Sequence, residues 1–296
     1  SRDEDIEKAF NNGAILRTHL LRPTWHFVTP EDIRWLLKLT ASRIYALSAF
    51  MIRKMELNTK IFKRSDAVLA KTLQGGKHLT RVELNSSLLK AKINTDDLRL
   101  IYIMMHAELE GIICSGPRKG KHFTYALLDE RVPPVKAIDK EESLALLAQR
   151  YFTSRGPAPL QDFVTWSGLA VKDAKAGMFS LGKNFLHEMM DGKEYIFSST
   201  VKNITHPQTT FLMPVYDEYG IGYKDRSAIF DQAIQAQQVS RGNAVFNKTI
   251  IIDGKIAGTW QRTIKKEVEV STFPFVSLSK EKKKALHLAT TKFLAF

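Results

Sequence analysis

The sequence has little cysteine and no long apolar run, and both absences narrow its class. A single cysteine, Cys114, excludes an intramolecular disulfide and a cysteine-rich zinc site. No stretch reaches the roughly 18 uncharged apolar residues that a membrane helix needs. The opening residues, SRDEDIEKAF, are too acidic and polar for a signal peptide. We therefore expect a cytoplasmic protein with no membrane partner.

The common motifs of catalytic and cofactor sites are also lacking. The eight histidines are scattered, without the HExxH or HxxxH spacing that puts two metal ligands on one helix face. The GxSxG motif, the P-loop and the GxGxxG motif are missing as well. These absences predict a protein without a bound metal and without a cofactor.

What the chain does have is positive charge. Its 44 Lys and Arg residues exceed its 31 Asp and Glu residues, which gives a net charge of +13 over 296 residues. The excess is local, because residues 57–131 carry +5 and residues 201–296 carry +6, whereas residues 132–200 are neutral. Such a surface attracts polyanions, of which nucleic acid is the commonest and an anionic membrane the alternative. The alternative explanation, that the positive charge only keeps the protein soluble, remains open at this point.

The order of helix and strand signals predicts an α+β fold. Helices are expected over residues 3–11, from Thr29-Pro30, and over 61–73, 80–92 and 96–110, with Thr80 and Glu83 as a capping box. Strands 112–116 and 122–128 follow, and three helices with a β-hairpin are the order of a winged helix. The same order recurs after Pro133-Pro134, with its hairpin at Asp191-Gly192. Residues 15–28 resemble the final hairpin of another such unit.

We therefore predict four segments. Residues 1–56 are the last part of a first winged helix with a linking helix, 57–131 a second winged helix, and 132–200 a third. Residues 201–296 are predicted as an antiparallel, barrel-like β-domain with a hairpin at Asp253-Gly254, capped by a lysine-rich terminal helix.

The sharpest candidate for DNA contact is the hairpin tip at 118–122, RKGKH, which we call the basic turn. Between two apolar strands, its basic side chains are expected to project into solvent and to meet phosphates or the minor groove. A solvated turn is the alternative. Lys172 and Lys175 share one helix face. That face could pack against protein as readily as it could contact DNA. The predicted DNA-binding residues are Arg22, Arg118, Lys119, Lys121, His122, Lys172 and Lys175.

Two further groups are candidates to line a nucleic-acid cleft. The first is Trp25 with His26, although a histidine in an alternating strand is more often packed and hydrogen-bonded. The second is a dense polar and aromatic stretch, for which internal salt bridges with Lys224 and Arg226 are the alternative. Asp217 and Glu218, expected in a strand, would point to opposite faces and so form no simple acid–base pair. This group comprises Tyr216, Asp217, Glu218, Tyr219, Lys224 and Arg226.

Taken together, several segments resemble the bacterial AlkZ-like superfamily of winged-helix DNA-binding proteins, which includes alkylpurine and crosslink-unhooking DNA glycosylases. The segments are LRPTWHFVTPEDIRWLL, TYALLDERVP, YFTSRGPAPLQDFVTWSGL, LMPVYDEYGIGYKDR and IIIDGKIAGTW, in order between residues 14 and 265. The resemblance implies three tandem winged helices, a C-terminal β-domain, and double-stranded DNA as partner. It also implies a bacterial, nucleoid-associated protein, for which a monomer is favoured.

The resemblance leaves two functions open. The first is a monofunctional glycosylase acting on N-alkylated purines, in which a side chain orients water at the sugar carbon while the cationic base leaves. The family's Gln-aliphatic-Gln or Gln-aliphatic-Asp triplet lies upstream of the RPTWH segment, and this sequence begins after that position and without Met. Its Gln235-Ala236-Gln237 is far downstream and is not assigned that role. The catalytic residues are thus unknown, and the second function is a non-catalytic DNA-binding or regulatory protein on the same scaffold.

Overall fold

The computed structural model describes residues 3–200, 209–230 and 247–295. The chain divides into two compact units. The first combines Ser1–Tyr151 with Ser167–Gly182, and the second combines Phe152–Trp166 with Lys183–Phe296. Both contain helices and antiparallel sheets, which confirms the α+β class. Within the described ranges, every helix is too short or too polar to cross a membrane.

The first unit opens with a short helix and a hairpin. Helix α1, Asp3–Asn11, ends before Gly13, whose φ of +81° lies in the left-handed region that glycine adopts most readily. Strands β1, Leu16–Leu20, and β2, Thr24–Val28, pair antiparallel as predicted. Helix α2, Pro30–Lys54, begins with Pro30 at its first position, where proline sacrifices no helical hydrogen bond.

The next segment places three helices before a second hairpin. These are α3, Thr59–Leu73; α4, Arg81–Lys90, after the two-residue strand β3, Leu79–Thr80; and α5, Arg99–Leu109. Strands β4, Ile113–Ser115, and β5, Thr124–Leu127, complete a sheet of order β3-β5-β4, followed by the short helix α6, Leu128–Arg131. The predicted capping box of Thr80 and Glu83 is present. Helix α5 starts later than predicted because Asp97 has a φ of +53°, outside the helical region.

A third set of elements follows the same order and contributes to both units. Helices α7, Lys140–Arg155, α8, Leu160–Ser167, and α9, Val171–Phe179, precede strands β6, Phe185–Met190, and β7, Lys193–Ser198. The turn between β6 and β7 has positive φ at both Asp191 and Gly192, the geometry expected of an Asp-Gly hairpin. Gly168 ends α8, as predicted, with a φ of +70°.

The described part of the C-terminal region is an open sheet covered by a helix. Its elements are β8, Thr210–Leu212; α10, Glu218–Ile221; β9, Thr249–Ile252; β10, Lys255–Ile264; β11, Val268–Pro274; and α12, Lys280–Leu294. The antiparallel strands lie in the order β11-β10-β9-β8, so in the described residues this sheet is not closed into the expected barrel. Leu286 of α12 packs with Ile250, Ile252 and Trp260.

Candidate nucleic-acid interface

A row of alternating aromatic rings and guanidinium groups lies on the first unit. The Arg17 guanidinium carbon is 4.4 Å from the centre of the Trp25 ring and 3.8 Å from that of Phe123. The Arg118 guanidinium lies over Phe123 at 5.2 Å. We call Trp25, Arg17, Phe123 and Arg118 the stacked row. Trp25 is 46% exposed and Phe123 38%, so the row offers ring surface to solvent beside two cations.

The folding of two distant hairpins builds this row. Arg17 lies on β1 and Trp25 on β2, where His19 is the direct partner of Trp25. Phe123 directly precedes β5, and the backbone N–H of Arg17 donates to Ser115 Oγ at 2.8 Å. Burial lowers the pKa of the Arg17 guanidinium, although the nearby Tyr125 hydroxyl and Glu108 carboxylate oppose that effect. Contacts with two rings compensate a cation that has lost part of its water.

Behind the row lies a buried ionisable pair that the sequence did not predict. Nδ1 of His19 contacts Oε2 of Glu108, a carboxylate that is 1% exposed. The centre of the His19 ring lies 5.1 Å from that of Trp25, and the two ring planes are tilted by 43°. Burial and the Glu108 charge together raise the pKa of Tyr125 to about 12. Because Glu108 is shut off from solvent, its carboxylate cannot react with a bound ligand. The role of the pair is therefore to position Trp25 through His19.

The basic turn shares Arg118 with the stacked row, and two of its side chains make contacts that the sequence did not predict. Lys119, Lys121 and His122 are exposed, as expected. Lys119 nevertheless donates to Glu83 Oε1 at 3.0 Å, and Arg118 is only partly exposed, with its Nε 3.9 Å from Glu7 Oε1. The prediction that Arg118 projects freely into solvent is wrong, because its side chain packs over Phe123 and its backbone N–H donates to Asn11.

Arg22 and His26 lie on the β1–β2 hairpin together with Trp25. Arg22 follows Leu21 in the turn and is half-buried. His26 is also half-buried, with Nδ1 3.0 Å from the carbonyl oxygen of Thr24. Lys172 and Lys175 lie on a helix, as predicted, and both are exposed there on α9, with Asp173 between them paired to Lys140 at 2.8 Å. Trp25 is thus brought into the stacked row, whereas the two lysines lie on a separate helix.

The second candidate group differs from its prediction. Asp217 and Glu218 are not in a strand, because Asp217 caps the short helix α10 by accepting from the backbone N–H of Tyr219 at 2.9 Å. Glu218 accepts from Trp166 Nε1 at 3.0 Å and pairs with Arg155 at 3.4 Å, a partner that the sequence interpretation did not name. These contacts tie α10 to α7 and α8 within the second unit.

The remaining members of this group also make structural contacts. The backbone N–H of Lys224 donates to Asp162 at 2.9 Å, and burial raises the pKa of that carboxyl despite this bond. Arg226 Nε donates to the Gly220 carbonyl at 2.7 Å, and the Tyr219 hydroxyl donates to the Gly254 carbonyl. Tyr216 is 65% exposed. Most of these polar groups therefore stabilise local structure.

A metal site and a reactive thiol are two further features that could complete a catalytic site. In residues 3–200, 209–230 and 247–295, no three His, Cys, Asp or Glu side chains converge as a metal site requires. Gln235-Ala236-Gln237 lies outside the described residues. Cys114 is buried, and burial raises the pKa of its thiol to about 12, which keeps it protonated at neutral pH.

Comparisons with known proteins identify relatives of this chain. An interstrand DNA cross-link repair glycosylase of Streptomyces sahachiroi is 22% identical over 287 residues, which cover 92% of this chain and 76% of that protein. The solved structure of the Streptomyces sahachiroi DNA glycosylase AlkZ has a similar fold, with a TM-score of 0.74 and 19% identity over 98% of this chain and 82% of the other. The model of the DNA glycosylase AlkZ-like family matches residues 1–296. The chain therefore belongs to the AlkZ-like DNA glycosylase family.

Proposed function

We propose that this protein binds duplex DNA containing alkylated purines, and that the stacked row and the basic turn form its contact in the first unit. One observation carries the proposal: Arg17 and Phe123 connect the exposed ring of Trp25 to Arg118, the first residue of the basic turn. Cations on a hairpin tip suit phosphates, and exposed rings suit the grooves or an unstacked base.

The proposed contact is mainly electrostatic. Lys119, Lys121 and His122 are exposed and close in sequence, so they meet neighbouring phosphates with little preference for base sequence. The helix and hairpin order supports winged helices over residues 57–131 and 132–200, with residues 1–56 as part of another and 201–296 as a β-domain. In this arrangement the basic turn is a wing. Arg22, Lys172 and Lys175 are proposed as further phosphate contacts.

The proposed role is repair of alkylated DNA in a bacterial cytoplasm. The family includes glycosylases, and the Streptomyces relative repairs interstrand cross-links according to its name. An N-alkylated purine is cationic while it is bonded to the sugar and leaves with the bonding electron pair as a neutral base. Hydrolysis of the glycosidic bond therefore needs a group that positions water and surroundings that stabilise the positive charge developing on the sugar. A second candidate is a DNA-binding protein without turnover. It is favoured by the contacts of Asp217, Glu218 and Arg226, whose polar groups are bound to other groups of the protein.

Two measurements on the same duplex test the proposal and separate the candidates. Affinity for a duplex carrying 7-methylguanine, titrated across salt concentrations, should fall steeply, with each phosphate contact contributing about −0.9 to the log–log slope. Salt-insensitive binding, or no binding at low salt, would overturn the proposal. Release of 7-methylguanine above the spontaneous rate favours the glycosylase, and binding without release favours the second candidate.

A further inference from the structure

A groove of about 700 Å³ lies between β11 and α12 in the second unit, and none of the residues of the proposed duplex contact lines it. Its volume is within the roughly 300–1,000 Å³ that small-ligand sites span. Helix α12 forms one wall, and β11 with the segment after it forms the other. The two walls differ in chemistry.

The wall from α12 is cationic. Lys283, Leu286, His287 and Thr290 recur at helical spacing and line the groove together. Leu286 is buried in the core, which fixes the orientation of this face, and Lys283 and His287 are exposed. In the described part of the chain Lys283 forms no ion pair, whereas its neighbour Lys282 lies 3.4 Å from Asp253. The Lys283 charge is therefore available to a ligand.

The charge around the groove has one dominant sign. Residues 247–295 contain ten Lys or Arg and four Asp or Glu, and α12 alone contains five lysines and one glutamate. Such an excess attracts a polyanion and opposes cationic ligands. The ligand of this groove is therefore expected to carry several negative charges.

The facing wall is largely apolar. Val270, Phe275 and Val276 line it together with Thr272, and Val276 is 54% exposed. A single nucleic-acid strand presents phosphates along one edge and base faces along the other, which matches a cationic wall opposite an apolar one. A duplex stacks its bases inside and carries phosphates on both outer edges, so its surface offers nothing to the apolar wall.

We propose that this groove binds a single strand of DNA, with phosphodiester groups against Lys283 and His287 and bases against the apolar wall. The inference rests on the proposed function for the source of the strand, since a repair protein meets unpaired DNA beside a lesion. It adds to the duplex contact a second contact that is selective for unpaired nucleotides.

The test measures binding of a fluorescein-labelled oligothymidylate by the full chain at low salt. Lys283→Glu should weaken binding about tenfold, because it reverses a charge at a phosphate contact. Lys292→Glu makes the same change on the opposite side of the same helix and should leave affinity within about twofold. Val276→Glu, which alters an exposed position of the apolar wall, should also weaken binding. Equal effects of Lys283→Glu and Lys292→Glu would overturn the proposal.

Competition identifies the ligand class. Unlabelled oligothymidylate should displace the probe, and inorganic phosphate at the same total phosphate concentration should not. If inorganic phosphate displaces the probe as well as oligothymidylate does, the groove is a simple anion site, and the proposal of a bound strand is overturned. Binding of a duplex is measured in parallel, which keeps the two proposals distinct. If Lys119→Ala/Lys121→Ala loses duplex binding and binds oligothymidylate normally, both proposed contacts are supported. Oligothymidylate binding that depends on Lys283, without any duplex binding, removes only the proposed duplex function.

Discussion

Glu108 on α5 holds its buried carboxylate against the imidazole of His19 on β1, which lies 89 positions earlier in the chain. The His19 ring in turn contacts Trp25, and the Arg17 guanidinium lies over the Trp25 indole. A buried carboxylate loses its water and needs a partner close by. The pair therefore links the core of the first unit to the exposed ring that we propose contacts DNA.

Removing the histidine from this pair should destabilise the protein strongly. His19→Ala leaves Glu108 buried without its contact, and breaking a buried pair in this way costs about 3–5 kcal/mol. Urea unfolding measures the loss. His187→Ala is the control, because His187 is paired with Glu194 at 3.0 Å in an exposed hairpin and should cost less than about 1 kcal/mol. Equal losses in the two variants would contradict the structural role of Glu108 and His19.

Gly168 should not tolerate a side chain. A Cβ at this position would lie 2.5 Å from the Leu21 carbonyl oxygen, in the turn that leads to Arg22, and φ is +70°. Gly168→Ala is expected to lower stability by about 1–3 kcal/mol or more, and to weaken DNA binding by displacing this turn. Gly182→Ala, with no atom within 4 Å of the added Cβ, should be nearly neutral. Thermal unfolding of both variants checks the comparison.

The features predicted correctly from the sequence involve residues that are close together in the chain. The features that the sequence did not predict are contacts between distant segments. Asp191-Gly192 and Asp253-Gly254 specify their turns through a positive φ, and Thr80 with Glu83 specifies a cap within four residues. The contact of Arg17 with Phe123 needs the packing of two hairpins, for which no spacing rule exists. The strand predicted at Asp217 failed because its carboxylate stabilises a helix start instead. The DNA-binding roles stay predictions.

The lysines of the basic turn should affect DNA binding without affecting folding. Lys119→Ala/Lys121→Ala removes two exposed cations, so stability should change by less than about 0.5 kcal/mol. The log–log salt slope of duplex binding should become shallower by about 1.8, since each phosphate contact contributes about 0.9. Arg118→Ala should in addition lower stability, because Arg118 packs over Phe123. An unchanged slope in the double variant would move the duplex contact elsewhere.

Acid should weaken the start of α4 through Glu83. The backbone N–H of Thr80, then the Lys119 ammonium, lowers the pKa of this carboxyl from 4.5 to about 2. A lowered folded-state pKa gives a contribution to stability that is complete above 4.5 and is lost as the pH falls towards 2. The difference in Tm between the protein and Glu83→Gln should therefore shrink over that range. Lys119→Ala should keep most of this pH dependence, because the Thr80 backbone N–H is the larger cause of the lowered pKa. A Tm difference that stays constant with pH would contradict the role given to Glu83.

Hydrogen–deuterium exchange of the full chain, with and without a saturating 7-methylguanine duplex, tests the central claim most directly because it reports where the DNA lies. We expect slower exchange in peptides covering residues 117–123 and 21–27, the segments that carry the basic turn and Trp25. Peptides of α12 should change little with a fully paired duplex. Protection confined to α12 and the C-terminal sheet, with none at residues 117–123, would contradict the proposed interface.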